Sequence, residues 1–117
     1  MRHHNKNRKF GREKGPRKAL LSSLALSLIL RNRIKTTEAK AKELRPYMEK
    51  IVTQAVTGTL SSKRLVVAKL QNQKKEVKKL FDEIAPKYKE VKGGYTRIIK
   101  MPRRLSDGSK MAMIEFV

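Results

Sequence analysis

At 117 residues, with 30 Lys/Arg against 10 Asp/Glu, the chain carries a formal net charge of +20 and an apolar content of 38%. That length fits one domain, and the absence of cysteine excludes disulfides and cysteine-ligated zinc or iron–sulfur centres. Like charge at this density weakens a compact state held alone and calls for a polyanionic partner, RNA or DNA.

The first eighteen residues, MRHHNKNRKFGREKGPRK, hold eight Lys/Arg, two His and one acid, Glu13. Phe10 is their only bulky apolar side chain past Met1, so this stretch cannot bury enough surface to offset its ordering entropy. Residues 1–15 are expected to form a mobile basic arm, and residues 16–117 a single globular domain. Arg2, Arg8, Arg12 and Arg17 bring forked guanidinium groups, and Lys6, Lys9, Lys14 and Lys18 bring point charges. His3 and His4 add further donors to phosphate or base. A metal site needs three or four converging ligands, and these two adjacent histidines have no partner nearby.

Pro16 suits the first turn of a helix, expected over Pro16–Arg31. Leu20, Leu21, Leu24, Ala25 and Leu28 give it a wide apolar face, and Leu26, Ile29 and Leu30 extend that face nearly all round, as in a central core helix. The apolar stretch Ala19–Leu30 is too short to span a bilayer. Arg31-Asn32-Arg33 stands where a signal peptide would need small residues, so no membrane partner is expected. Asn32–Thr37 reads as extended, with Ile34 inward and either threonine able to cap the next helix. That helix is expected over Glu38–Thr57 on the face of Ala41, Leu44, Met48, Ile51, Val52 and Ala55. Pro46 removes a donor inside it and predicts a kink or break near Lys42–Arg45, and Gly58 predicts a left-handed stop.

Ser61 or Ser62 is expected to cap a short helix through Leu65, Val66 and Leu70. Val77, Leu80, Phe81 and Ile84 form the stripe of a further helix ended by Pro86, with a lysine-rich outer face at Lys74–Lys79. Gly93-Gly94 breaks the chain before a strand at Tyr95–Met101. A loop with an Asp107-Gly108 turn leads to a strand over Met111–Val117, where Ala112, Ile114 and Phe116 alternate with Met111, Met113 and Glu115. These two strands suggest an antiparallel hairpin, with Asn32–Thr37 as a possible third strand.

No P-loop, dinucleotide-binding glycine pattern or constellation of acid, base and nucleophile is present, so no catalysis, cofactor or metal is expected. Glu43 and Glu49 read as solvated partners of nearby lysines. Besides the arm, Arg31, Arg33 and Lys35 would share one side of a strand. Tyr95, with Arg97, Lys100, Arg103 and Arg104, could stack on a base while the cations hold the backbone, or could be only a half-buried strand residue.

Four pieces taken in order, MRH at Met1–His3, IKTTEAKAKELR at Ile34–Arg45, GGYTRIIK at Gly93–Lys100 and KMAMIEFV at Lys110–Val117, make the chain resemble the bacterial large-subunit ribosomal protein L seventeen family nearly end to end. The resemblance implies a non-enzymatic structural constituent of the large (50S-type) subunit in the cytoplasm. It would bind 23S-type ribosomal RNA near the exit of the nascent-peptide tunnel, beside neighbouring large-subunit proteins, with no small-molecule substrate. It also implies an α+β, two-layer fold of three or four helices packed on a small mixed sheet that includes Asn32–Thr37. An RNA-contact role carries over to Arg2, His3, Arg17, Arg33, Lys35, Thr36, Thr37, Tyr95, Thr96 and Arg97. His4–Lys14 and Pro46 depart from the family's pattern. The MRH start, without a transit-like leader, favours a bacterial over an organellar origin. Composition alone also admits a DNA-binding nucleoid-type protein, but that reading wants Asn/Gln/Arg base readers on a helix face, where this chain has lysines.

Overall fold

The computed structural model describes residues 14–117, and the expectations for Met1–Glu13 lie outside them. Four α-helices and three strands follow in the order α1 (Lys14–Arg31), β1 (Arg33–Thr37), α2 (Glu38–Thr57), α3 (Leu60–Lys69), α4 (Lys74–Lys79), β2 (Thr96–Met101) and β3 (Met111–Phe116). The helices pack on a three-stranded sheet of order β1-β3-β2. Both pairings are antiparallel, which corrects the expectation of a mixed sheet. β1 and β2 do run the same way, but β3 inserts between them and takes every ladder hydrogen bond they would otherwise share.

The core is centred on α2, not on α1 as its leucine content predicted. Ala41, Leu44, Met48, Ile51, Val52 and Ala55 are all buried on α2, which touches α1, α3 and all three strands. α1 buries Ser22, Ala25, Leu28 and Ile29, while Leu30 stays 48% exposed. Burial on both sides of Pro46, at Ala41 and Leu44 before it and Met48 after it, carries α2 through the proline as one helix. The break expected at Lys42–Arg45 does not form.

Local chemistry sets the ends of the helices. Asn32 turns left-handed at φ 67° and its N–H reaches the Leu28 carbonyl (2.7 Å), closing α1. Lys79 Nζ donates to the Leu30 carbonyl (2.7 Å), placing a cation at the negative end of α1. Thr37 Oγ1 accepts from the Lys40 N–H at 3.4 Å, and Gly58 ends α2 at φ 69°. The cap of α3 is Thr59, whose Oγ1 accepts from the Ser62 N–H (3.1 Å). Ser61 and Ser62 already lie inside the helix. Thr59→Ala is expected to cost about 1 kcal/mol in urea unfolding, and Ser61→Ala, at an exposed site, less than about 0.5 kcal/mol. Equal effects of the two would refute the assignment.

Pro86 does not end the fourth helical segment. The chain tightens and loosens through a π turn at Leu80–Ile84 and a 3₁₀ turn at Ala85–Tyr88, with Pro86 at the start of the latter, where it needs no donor. These turns deliver Leu80, Ile84, Ala85 and Tyr88 to the core.

Candidate nucleic-acid interface

Register fixes what each sheet face presents, because residues directly opposite share a face. On the face away from the helices, Arg33 and Arg97 flank Glu115. Lys35 and Ile99 flank Met113 in the next row. On the inner face Ile34, Ile114 and Ile98 align and enter the core. Arg97 Nε meets Glu115 Oε1 at 2.7 Å. Its side chain stays 58% exposed, so Glu115 orients the guanidinium without hiding it.

Arg31, Arg33 and Lys35 are all exposed and line one concavity with Leu24, Ser27 and Ile34. The expected grouping forms by a different route. Arg31 is the last residue of α1, and the left-handed turn at Asn32 brings it beside the strand cations.

The second expected group does not assemble. Lys100 lies an odd number of residues from Arg97 and falls on the opposite face, opposite Ala112 and near Glu38. Thr36 also takes that inner face, half-buried, opposite Ala112. Arg103 and Arg104 are exposed but serve their own loop. Arg103 donates to the Gly108 carbonyl (3.0 Å), and Arg104 meets Asp107 (3.3 Å) and Met111 Sδ (3.4 Å).

Tyr95 and Thr96 are corrected outright as surface contacts, being only 3% and 2% exposed. The Tyr95 ring meets Tyr88 edge-on, with centroids 5.2 Å apart, and its hydroxyl donates to the Val91 carbonyl (3.3 Å). No face of it is left for a base. Thr37 spends its hydroxyl on capping α2.

The group that sequence reasoning missed is Glu49. It is not a solvated partner of a lysine. Its Oε2 accepts from the Tyr95 N–H (3.0 Å), and its Oε1 from the Thr96 N–H (3.3 Å) and Thr96 Oγ1 (3.1 Å). One carboxylate therefore ties the middle of α2 to the start of β2. Burial, and then the negative charge of Glu49, push the Tyr88 phenol above its ordinary pKa. The Lys42 ammonium, bonded at 2.9 Å, is the main cause holding Glu38 below the usual carboxylate range. The Ser109 N–H does the same for Asp107.

Arg17 is half-buried and Lys18 exposed in the early turns of α1, whose first turn holds no acid. Lys14 begins that helix, while Arg2, His3, His4, Lys6, Arg8, Lys9 and Arg12 lie outside the described residues. Among the described residues no three His, Cys, Asp or Glu side chains gather to hold a metal, and no helix is long and apolar enough to cross a membrane.

The sequence profile of the family described as Ribosomal protein L17 matches residues 20–117. A protein of Akkermansia muciniphila named large ribosomal subunit protein bL17 is 53% identical over 117 residues, covering all of this chain and 85% of that one. The protein of the same name from Methylacidiphilum infernorum is 53% identical over 116 residues, covering 99% and 88%. That from Thermomicrobium roseum is 50% identical over 117 residues, covering 100% and 99%. With a profile match over most of its length and relatives at half identity end to end, the chain belongs to the ribosomal protein L17 family.

Proposed function

We propose that this protein is a non-catalytic structural constituent of the large ribosomal subunit in the cytoplasm. It binds and stabilises 23S-type rRNA near the nascent-peptide tunnel exit, in contact with neighbouring large-subunit proteins. The observation that carries the RNA reading is the joining of Arg31, Arg33 and Lys35 in one exposed concavity of a chain with net charge +20. Cations held on a rigid helix end and strand can neutralise phosphates in fixed register, and each neutralised phosphate releases counterions. Because side chains cannot enter the deep A-form major groove, such a surface recognises shape and backbone rather than base order. Arg97 widens the basic surface on the same sheet face, Arg17, Lys18 and Lys14 mark the root of the arm, and the arm cations with His3 and His4 extend its reach.

UV crosslinking in cells, followed by sedimentation and sequencing of the attached nucleic acid, tests this. Co-migration with the large subunit and crosslinks at a few discrete 23S-type sites are expected. Recovery in light fractions with scattered DNA would refute it in favour of a nucleoid role.

A further inference from the structure

A concavity between α2, the end of α3 and the turn before β2 has no part in the surface described above. Its walls include Arg45 and Lys50 of α2, Lys69 at the end of α3, and Gly93-Gly94, with Glu49 beneath. Its construction is fixed. The Lys69 carbonyl accepts hydrogen bonds from Ser22 Oγ (2.8 Å) and the Tyr47 hydroxyl (3.1 Å), which pin the end of α3 to α1 and α2. Gly93 and Gly94 hold φ of 99° and 68°, a backbone that side chains rarely adopt. A Cβ at either would meet nothing within 4 Å, so the glycines leave the main chain bare toward open space.

The charges of this groove are unbalanced. Glu49 already has hydrogen-bond donors on both oxygens. Arg45, Lys50 and Lys69 are all exposed, and no ion pair to any of them is formed among the described residues. The lining offers no exposed aliphatic or aromatic anchor of the kind a protein partner's hot spot requires. The groove also opens beside the root of the arm. Gln71 Nε2 donates to the Ala19 carbonyl (3.5 Å), and Ser22 holds Lys69, so the early turns of α1 with Arg17 and Lys18 lie next to it.

We infer that this groove is a second RNA site, holding a sugar–phosphate backbone whose phosphates are neutralised by Arg45, Lys50 and Lys69 and approach the bare Gly93-Gly94 main chain. It rests on the RNA reading above and adds a distinct surface. Ser22, which holds Lys69 at the groove, lies nine residues, or roughly 14 Å, along α1 from Arg31 at about 1.5 Å per helical residue. The folded body then holds RNA backbone at two separate places along α1.

The test is the salt dependence of binding of the full chain to purified 23S-type rRNA. Arg45→Gln, Lys50→Gln and Lys69→Gln combined should flatten the slope of log K against log salt by about two, with an unchanged thermal midpoint. A control of equal charge, Lys74→Gln, Lys75→Gln and Lys78→Gln, should flatten it by less than about one. Equal or greater flattening by the control means bulk charge alone and overturns the site, as does an unchanged slope in the groove variant. Absence of binding by the unaltered chain would instead overturn the RNA reading itself. In assembled subunits, a photocrosslinker at position 50 should capture rRNA; capture of a ribosomal protein in its place would refute the assignment.

Discussion

Removing residues 1–13 is expected to weaken binding to 23S-type rRNA by roughly a hundred- to a thousand-fold at physiological salt, and to leave the folded body intact. The segment carries five Lys/Arg, Arg2, Lys6, Arg8, Lys9 and Arg12. If each neutralises one phosphate, the salt slope falls by about four. Among the described residues the hydrophobic core begins at Leu24 and Ala25, beyond the deleted segment. Filter binding across a salt series measures the slope, and a thermal melt checks the fold. An unchanged slope would show that the arm is not an RNA-binding element. Collapse of the melt would show that arm and body are not separable.

Glu49→Ala is expected to destabilise the fold by about 2–3 kcal/mol. The lost carboxylate leaves the N–H groups of two buried residues, Tyr95 and Thr96, and the Thr96 hydroxyl without their acceptor. An unmade hydrogen bond in such a place costs more than a made one contributes. Glu49→Gln keeps one acceptor oxygen and should lose about half as much. Urea unfolding measures both, and amide exchange at Tyr95 and Thr96 should quicken well before global unfolding. An Ala variant within about 0.5 kcal/mol of the parent would make Glu49 an ordinary surface acid.

What the sequence allowed to be read follows the range of the interactions involved. α2 is predicted to its end residues because its caps, Thr37 and Gly58, and its apolar period all act within a few positions. Arg33 and Lys35 are legible for the same reason, since strand alternation places them together. Glu49 is not, because its partners lie 46 and 47 residues away and nothing local distinguishes it from Glu43. Tyr95 looks like an exposed stacking ring because aromatic and basic neighbours share its stretch. Its burial comes from Tyr88, delivered by the π and 3₁₀ turns that the helical pattern of Val77 and Leu80 did not reveal. Composition groups Lys100 with Arg97, whereas parity along β2 places them on opposite faces.

The central position of β3 bears on how the chain is made. During synthesis β1 and β2 both emerge before the strand that joins them, and β1 waits through the whole of α2, α3 and α4. The helices can pack early, whereas the sheet depends on contacts as distant as Arg33 with Glu115 and is expected to close late. In that interval β1 and β2 are exposed edges that could zip to each other. In the parallel register that each strand keeps against β3, Arg33 and Arg97 would face one another as like charges, which opposes that wrong pairing. Glu115 arrives as the missing counter-charge between them. One acidic residue near the end of the chain thus helps to decide the order of strands as well as to steady a guanidinium.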